Sequence, residues 1–247
     1  MIEPDSFMSH LIELRDRLVR ALIAVLVVFI CLFPWSSDLF DLLAHPLMLA
    51  LPEGTKMLAT GVITPFLIPV KVTLMVALAI ALPYVLYQAW AFVAPGLYSH
   101  EKRFGMPLVI ASTVLFFIGV AFCYYFVFGT VFKFVYSIAP QSITVAPDIE
   151  NYFNFVIGMF LAFGVTFEVP IAVVLLVKFG MVTVAKLREI RPYVIVGAFV
   201  VAAVVTPPDV ISQLMLAIPL WILYEAGIVV AVMMGRGKKP TEEEGST

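Results

Sequence analysis

The chain has 247 residues, 62% of them hydrophobic and 13% charged, with a formal net charge of -2. A soluble domain is roughly 45–50% apolar and about 25% charged, so this composition excludes water as the main solvent. The near-neutral balance also argues against nucleic acid as a partner, because it lacks the basic field that neutralises phosphates.

Hydropathy, interrupted by charge, Pro and Gly, predicts six membrane-spanning helices. The first covers 18–36 and is entered by a helix carrying His10-Leu11-Ile12-Glu13-Leu14-Arg15. Next comes a segment from Asp38 to Thr64 in which Pro46, Pro52 and Gly54 alternate with short amphipathic pieces such as Leu39-Phe40-Asp41-Leu42-Leu43. It reads as a structured extracytoplasmic cap on the membrane surface. The remaining spans cover 68–92, 105–132, 153–177, 192–206 and 212–233. Residues 1–237 therefore form a single six-helix transmembrane domain, and the polar, acid-rich 238–247 a disordered cytoplasmic tail.

Lys and Arg accumulate on the cytoplasmic side of short loops. With the N-terminus inside, twelve of the fifteen basic residues fall there, and only Lys56, Lys71 and Lys133 fall opposite. The expected fold is an all-α integral membrane protein with both termini cytoplasmic. Its fifth and sixth helices are expected to be short, because X-Pro steps at Thr206-Pro207-Pro208-Asp209 push the chain out of helix. Fifteen helical residues reach about 22 Å, less than the usual hydrocarbon thickness. The bilayer then thins or partner helices cover the ends, unless the span boundaries are drawn too tightly.

No GxSxG elbow, HExxH pair or phosphate-binding GxxxxGK[ST] loop is present, so bond-making chemistry is not expected of this chain. Neither a metal nor a cofactor is expected: Cys31 and Cys123 lie apart in apolar runs, and the three histidines do not cluster. The acids carry the signal. Glu168, deep in the fourth span, is costly there unless it faces a cavity or partner, and Pro170 leaves the carbonyl of Thr166 without its helical bond. A neutral Glu168 held by a local hydrogen bond is the bland alternative. Glu13 and Glu101 fall near one cytoplasmic surface, where paired carboxylates select guanidinium groups by bidentate bonds that lysine cannot copy. Against that stands a plain i,i+4 pair of Glu13 with Arg17 and a solvated Glu101. Gln88, Thr206, Gln213 and Glu225 read by default as polar groups bonding between helices.

Four segments together resemble the TatC family, the polytopic core of the twin-arginine translocase. They are His10 to Arg15, Tyr87-Gln88-Ala89-Trp90-Ala91-Phe92 running on to His100-Glu101-Lys102-Arg103, Ala162 to Pro170, and Arg191-Pro192-Tyr193 through Asp209. The resemblance implies a receptor for twin-arginine signal peptides of folded precursors, exported by the proton-motive force across the bacterial inner membrane. It also implies that Glu13 and Glu101 hold the arginines, with Arg15 and Phe92 flanking. Glu168, Thr206 and Gln213 would meet single-span TatA-like and TatB-like partners, within a homo-oligomeric receptor complex embedded in lipid. At Gly61 the family often carries an acid, which this chain lacks. A rival from another class, a proton-coupled secondary transporter relaying through Glu168, is also compatible with the intramembrane acid.

Overall fold

The computed structural model describes residues 4–49, 57–93, 105–137, 146–206 and 209–235. Regular structure among them is helical, apart from one isolated bridge between Leu58 and Asp148. Five segments are long and apolar enough to cross a membrane: Met8–Met48, Thr64–Phe92, Gly105–Phe134, Ile149–Lys178 and Val210–Met234. Arg191–Val205 is a shorter apolar helix. By its internal contacts the chain falls into two compact units, Met1–Phe163 and Gly164–Thr247.

In the first unit, α1 (Pro4–Leu32) passes through a 3₁₀ turn at Phe33–Trp35 into α2 (Ser36–Met48). Pro34 lies in that turn and offers no N–H to the carbonyl of Ile30, which is why α1 stops there. Among the residues of α1 whose burial is described, 8–32, Ala21 and Val25 are the buried ones, spaced i,i+4 on the face toward α3 (Thr64–Val93). Leu18, Leu22, Leu26 and Ile30 stay exposed, as suits a helix solvated by lipid.

The cap expected after the first span contains α2, which buries Leu43, Ala44 and Leu47. Residues 50–56 lie outside the described residues. Phenol groups tie α2 down: Tyr152 donates to the carbonyl of Leu43 at 2.9 Å and Tyr124 to that of Leu42 at 3.0 Å. Beyond it, Leu58 exchanges backbone bonds of 2.9 and 2.8 Å with Pro147 and Ile149. Asp148 then caps α6 (Ile149–Phe167), accepting from the Asn151 N–H at 3.0 Å while its other oxygen accepts from Thr60 at 2.6 Å. Helix α4 (Gly105–Phe122) runs through a π turn at Cys123–Val127 into α5 (Phe128–Ser137). The core of the unit is aromatic: Phe128 and Phe153 are fully buried, and Phe128 packs on Phe160 with centroids 5.2 Å apart.

The second unit begins inside α6. Helix α6 stops at Phe167, Glu168 forms a turn, and α7 (Val169–Lys178) starts with Pro170 in its first turn. The break expected from Pro170 is thus present. Gly180, at φ +67, ends α7: its N–H bonds the carbonyl of Val177 at 3.0 Å and that of Met181 bonds Leu176 at 3.0 Å. This is a Schellman stop, which needs a left-handed residue. Thr183 then caps α8 (Val184–Glu189), and Tyr224 donates to the Leu187 carbonyl at 2.8 Å.

Helix α9 (Arg191–Val205) has 15 residues, as short as expected, and Thr206 leaves it in extended backbone at ψ 157. Residues 207–208 lie outside the described residues. The sixth span corrects the sequence reading: α10 (Val210–Gly235) has 26 residues and is not short. Asp209 is its cap, accepting from the Ser212 N–H at 2.7 Å, so the helix starts earlier than the charge suggested. Glu225 lies within the helix, where Arg191 neutralises its carboxylate.

Candidate functional site

Near the N-terminal end of α1, the register of one helix brings three polar side chains to one face. Arg17 donates from Nε and Nη2 to the same oxygen of Glu13, at 3.0 and 2.6 Å. The pair is half-sheltered, with side-chain exposures of 22% for Arg17 and 31% for Glu13. His10 Nδ1 stands 3.9 Å from the second Glu13 oxygen. Next to them Arg15, exposed, donates twice to Asp16 at 3.0 and 2.8 Å. The i,i+4 contact that sequence offered as the plain alternative is therefore formed.

Phe92, also assigned to this site from sequence, is half-buried in the last turn of α3. In the same turn the Trp90 indole lies against Gly105, the first residue of α4, where any Cβ would come within 2.5 Å of Cδ1. Gly105 thus lets α4 begin directly over that ring. Glu101 lies outside the described residues, as do 94–104 as a whole.

In the second unit, the half-buried Glu168 occupies the turn that Pro170 creates, and its own carbonyl accepts from Ala172 at 3.0 Å. Thr166, just before it, is 4% exposed. The first turn of α7 meets α10 at Gly227, where a Cβ would lie 2.9 Å from Pro170 Cα. Thr206 is buried and bonds back to the Ala202 carbonyl at 2.8 Å. Gln213 donates from its amide to Phe199 O at 3.2 Å, closing the α9–α10 turn. Below that bond an apolar groove of about 220 Å³ is lined by Ile195, Ala198, Phe199, Ala217, Ile218 and Trp221. Gln213 and Gly227 are separated by about 21 Å of helix, so the polar positions lie at different depths and not in one cluster.

Sequence reasoning left one feature unassigned: Arg191 donates to Glu225 at 2.5 Å, joining the start of α9 to the later half of α10. The signal was available, since a glutamate inside an apolar span and an arginine at the head of a short one both need a counter-charge.

Residues 9–219 match the family model described as Sec-independent protein translocase protein (TatC). A Sec-independent protein translocase protein TatC from Azotobacter chroococcum mcd 1 is 49% identical over 247 residues, covering 98% of this chain and 97% of the relative. Its counterpart in Escherichia coli (strain K12) is 48% identical over 235 residues, covering 95% and 91%. Among solved structures, a crystal structure described as the twin arginine translocase receptor TatC superimposes with a TM-score of 0.81 at 38% identity. It covers 92% of this chain and 100% of that one.

Proposed function

The chain belongs to the TatC family of Sec-independent protein translocase proteins, and from that premise we propose that it receives twin-arginine signal peptides of folded precursors at the cytoplasmic face. In this reading Glu13 and Glu101 take the two guanidinium groups, while Arg15 and Phe92 flank them. The observation that supports it best is Glu13 itself. It is a half-sheltered carboxylate at the end of a lipid-exposed helix, in a setting where a guanidinium is already bonded through two donors. Charge-assisted bonds of this kind are stronger than neutral ones and match arginine's planar fork.

The same reading counts α9 as a sixth span, places both termini in the cytoplasm and the protein in the inner membrane, and treats 1–237 as one domain with 238–247 as its tail. Positive charge on the N-terminal, α7–α9 and C-terminal segments supports that orientation. TatA-like and TatB-like single-span proteins dock along Glu168, Thr206, Gln213 and the apolar groove between α9 and α10, in a receptor complex of several copies. Export draws on the proton-motive force, and the chain itself catalyses no covalent step. Replacing Glu13 and Glu101 by Ala removes crosslinking of an Arg-Arg leader peptide while the protein stays folded; undiminished crosslinking rejects the assignment.

The turn at Glu168 also suits a relay acid in a proton-coupled secondary transporter. Proton-coupled uptake of a small solute by the purified chain alone, in liposomes, would favour that rival.

A further inference from the structure

Glu13 already has an occupant. Arg17, one helical turn away, directs both Nε and Nη2 at Oε1 (3.0 and 2.6 Å), and among the described residues Oε2 faces His10 alone, at 3.9 Å. An arginine arriving from outside can engage a carboxylate bidentately only when both oxygens are available. It therefore finds half of this acceptor taken by a group of its own chemistry.

The Arg17 contact also differs from the other short-range pairs in these helices. Arg15–Asp16 has side-chain exposures of 70% and 48%, and Lys186–Glu189 of 58% and 68%, whereas Arg17 and Glu13 are at 22% and 31%. Shelter reduces screening, so this pair holds more firmly than an ordinary solvated one.

We propose that Arg17 is an internal competitor for Glu13, and that displacing it sets the threshold a leader peptide must pass. The inference rests on the receptor reading above and deepens it: Glu13 is the acid, and Arg17 determines how hard it is to reach. A leader guanidinium replaces the Arg17 fork with its own, an exchange of like for like. A lysine ammonium offers a point charge without the planar fork, and displaces Arg17 poorly.

The test is leader-peptide binding to the full-length chain in lipid nanodiscs, measured by fluorescence anisotropy with synthetic leaders carrying Arg-Arg or Lys-Lys. Arg17→Gln should tighten binding of the Arg-Arg leader roughly two- to fivefold, the span expected when an exposed-to-half-sheltered pair no longer has to open. Arg17→Lys, which keeps the charge but loses the fork, should give a smaller gain. In a Glu13→Ala background Arg17→Gln should change nothing, since the contested acceptor is gone. Affinity that is unchanged or weaker in Arg17→Gln overturns the competitor, provided thermal unfolding shows the variant folded. So does a gain that persists without Glu13. A wild-type chain that holds both leaders equally refutes instead the receptor reading on which the inference stands.

Discussion

Tyr124 donates its hydroxyl to the carbonyl of Leu42 at 3.0 Å, and Leu42 is the residue whose helical partner Pro46 removes. A proline at position i cannot bond the carbonyl at i−4, so α2 contains an orphaned acceptor at Leu42. The π turn that contains Tyr124 rotates the end of α4 by one extra residue relative to a regular helix. The phenol of that turn supplies the missing donor. Tyr124→Phe should therefore destabilise the protein by about 1 kcal/mol, the usual net worth of such a bond. Pro46→Ala restores a backbone N–H for Leu42, so in that background Tyr124→Phe should cost much less. A double-mutant cycle by thermal unfolding in detergent measures the coupling.

Much of this fold was readable because the bilayer simplifies the problem. Long apolar runs gave α3, α4–α5 and α6–α7 to within about five residues, whereas α1 begins fourteen residues before the predicted first span because its polar N-terminal stretch is continuous helix; Pro170 announced the turn at Glu168. The sequence reading starts a short sixth span at 212, beyond the Pro-Pro-Asp step, whereas α10 takes Asp209 as its cap and carries Glu225 within it. Each charge is absorbed locally, Asp209 by the Ser212 N–H and Glu225 by Arg191. Hydropathy cannot express such pairing, because it scores residues one at a time. The cap was visible only as punctuation: that Tyr124 and Tyr152 would reach back to α2 depends on tertiary contact, which periodicity does not encode. At the candidate site, the i,i+4 spacing foretold the Glu13–Arg17 contact, whereas nothing in the sequence foretold its shelter.

Asp148 makes the cap sensitive to acid. The Thr60 hydroxyl, and then the Asn151 N–H, hold its carboxylate below the ordinary value of 3.8. A depressed carboxylate contributes stability above its unfolded value, and that contribution is lost as pH falls through the folded one. The junction of Leu58 with α6 should be intact near neutrality and loosen only below about pH 4. Hydrogen exchange at the Ile149 amide, which bonds Leu58 at 2.8 Å, reports this directly. Asp148→Asn should raise exchange there at neutral pH and flatten its dependence on acid.

The Arg191–Glu225 pair is partly exposed, at 41% and 27%, so its worth lies between a surface pair and a buried one. Replacing Glu225 by Gln should lower stability by about 1–2 kcal/mol, because Arg191 then keeps its charge without a partner. The loss should appear as faster proteolysis between α8 and α9. The exchanged pair, Arg191→Glu with Glu225→Arg, should recover part of it, which a general surface effect would not.

Gly227 separates packing from propensity in a way one substitution can test. A Cβ there would lie 2.9 Å from Pro170 Cα, 3.0 Å from Val173 Cβ and 3.2 Å from Pro170 O, so two of the three obstacles are backbone. Backbone in a helix turn has no rotamer through which to retreat, so α7 and α10 must move apart. Overpacking of this kind costs about 1–3 kcal/mol. Gly197 in α9 and Gly129 in α5 meet nothing within 4 Å when given a Cβ. There Ala removes a flexible residue from a helix, a change usually worth about 0.5–1 kcal/mol in favour of folding. Thermal unfolding of the three alanine variants should thus split in sign, with Gly227→Ala lower than wild type and the other two at or above it. Because Pro170 follows Glu168 by two residues, the displaced turn carries the intramembrane acid with it. Crosslinking of a partner helix to a cysteine at Val169 should then fall in Gly227→Ala and hold in Gly197→Ala. Equal loss in both would show that the acid's position does not depend on the close approach of α7 to α10.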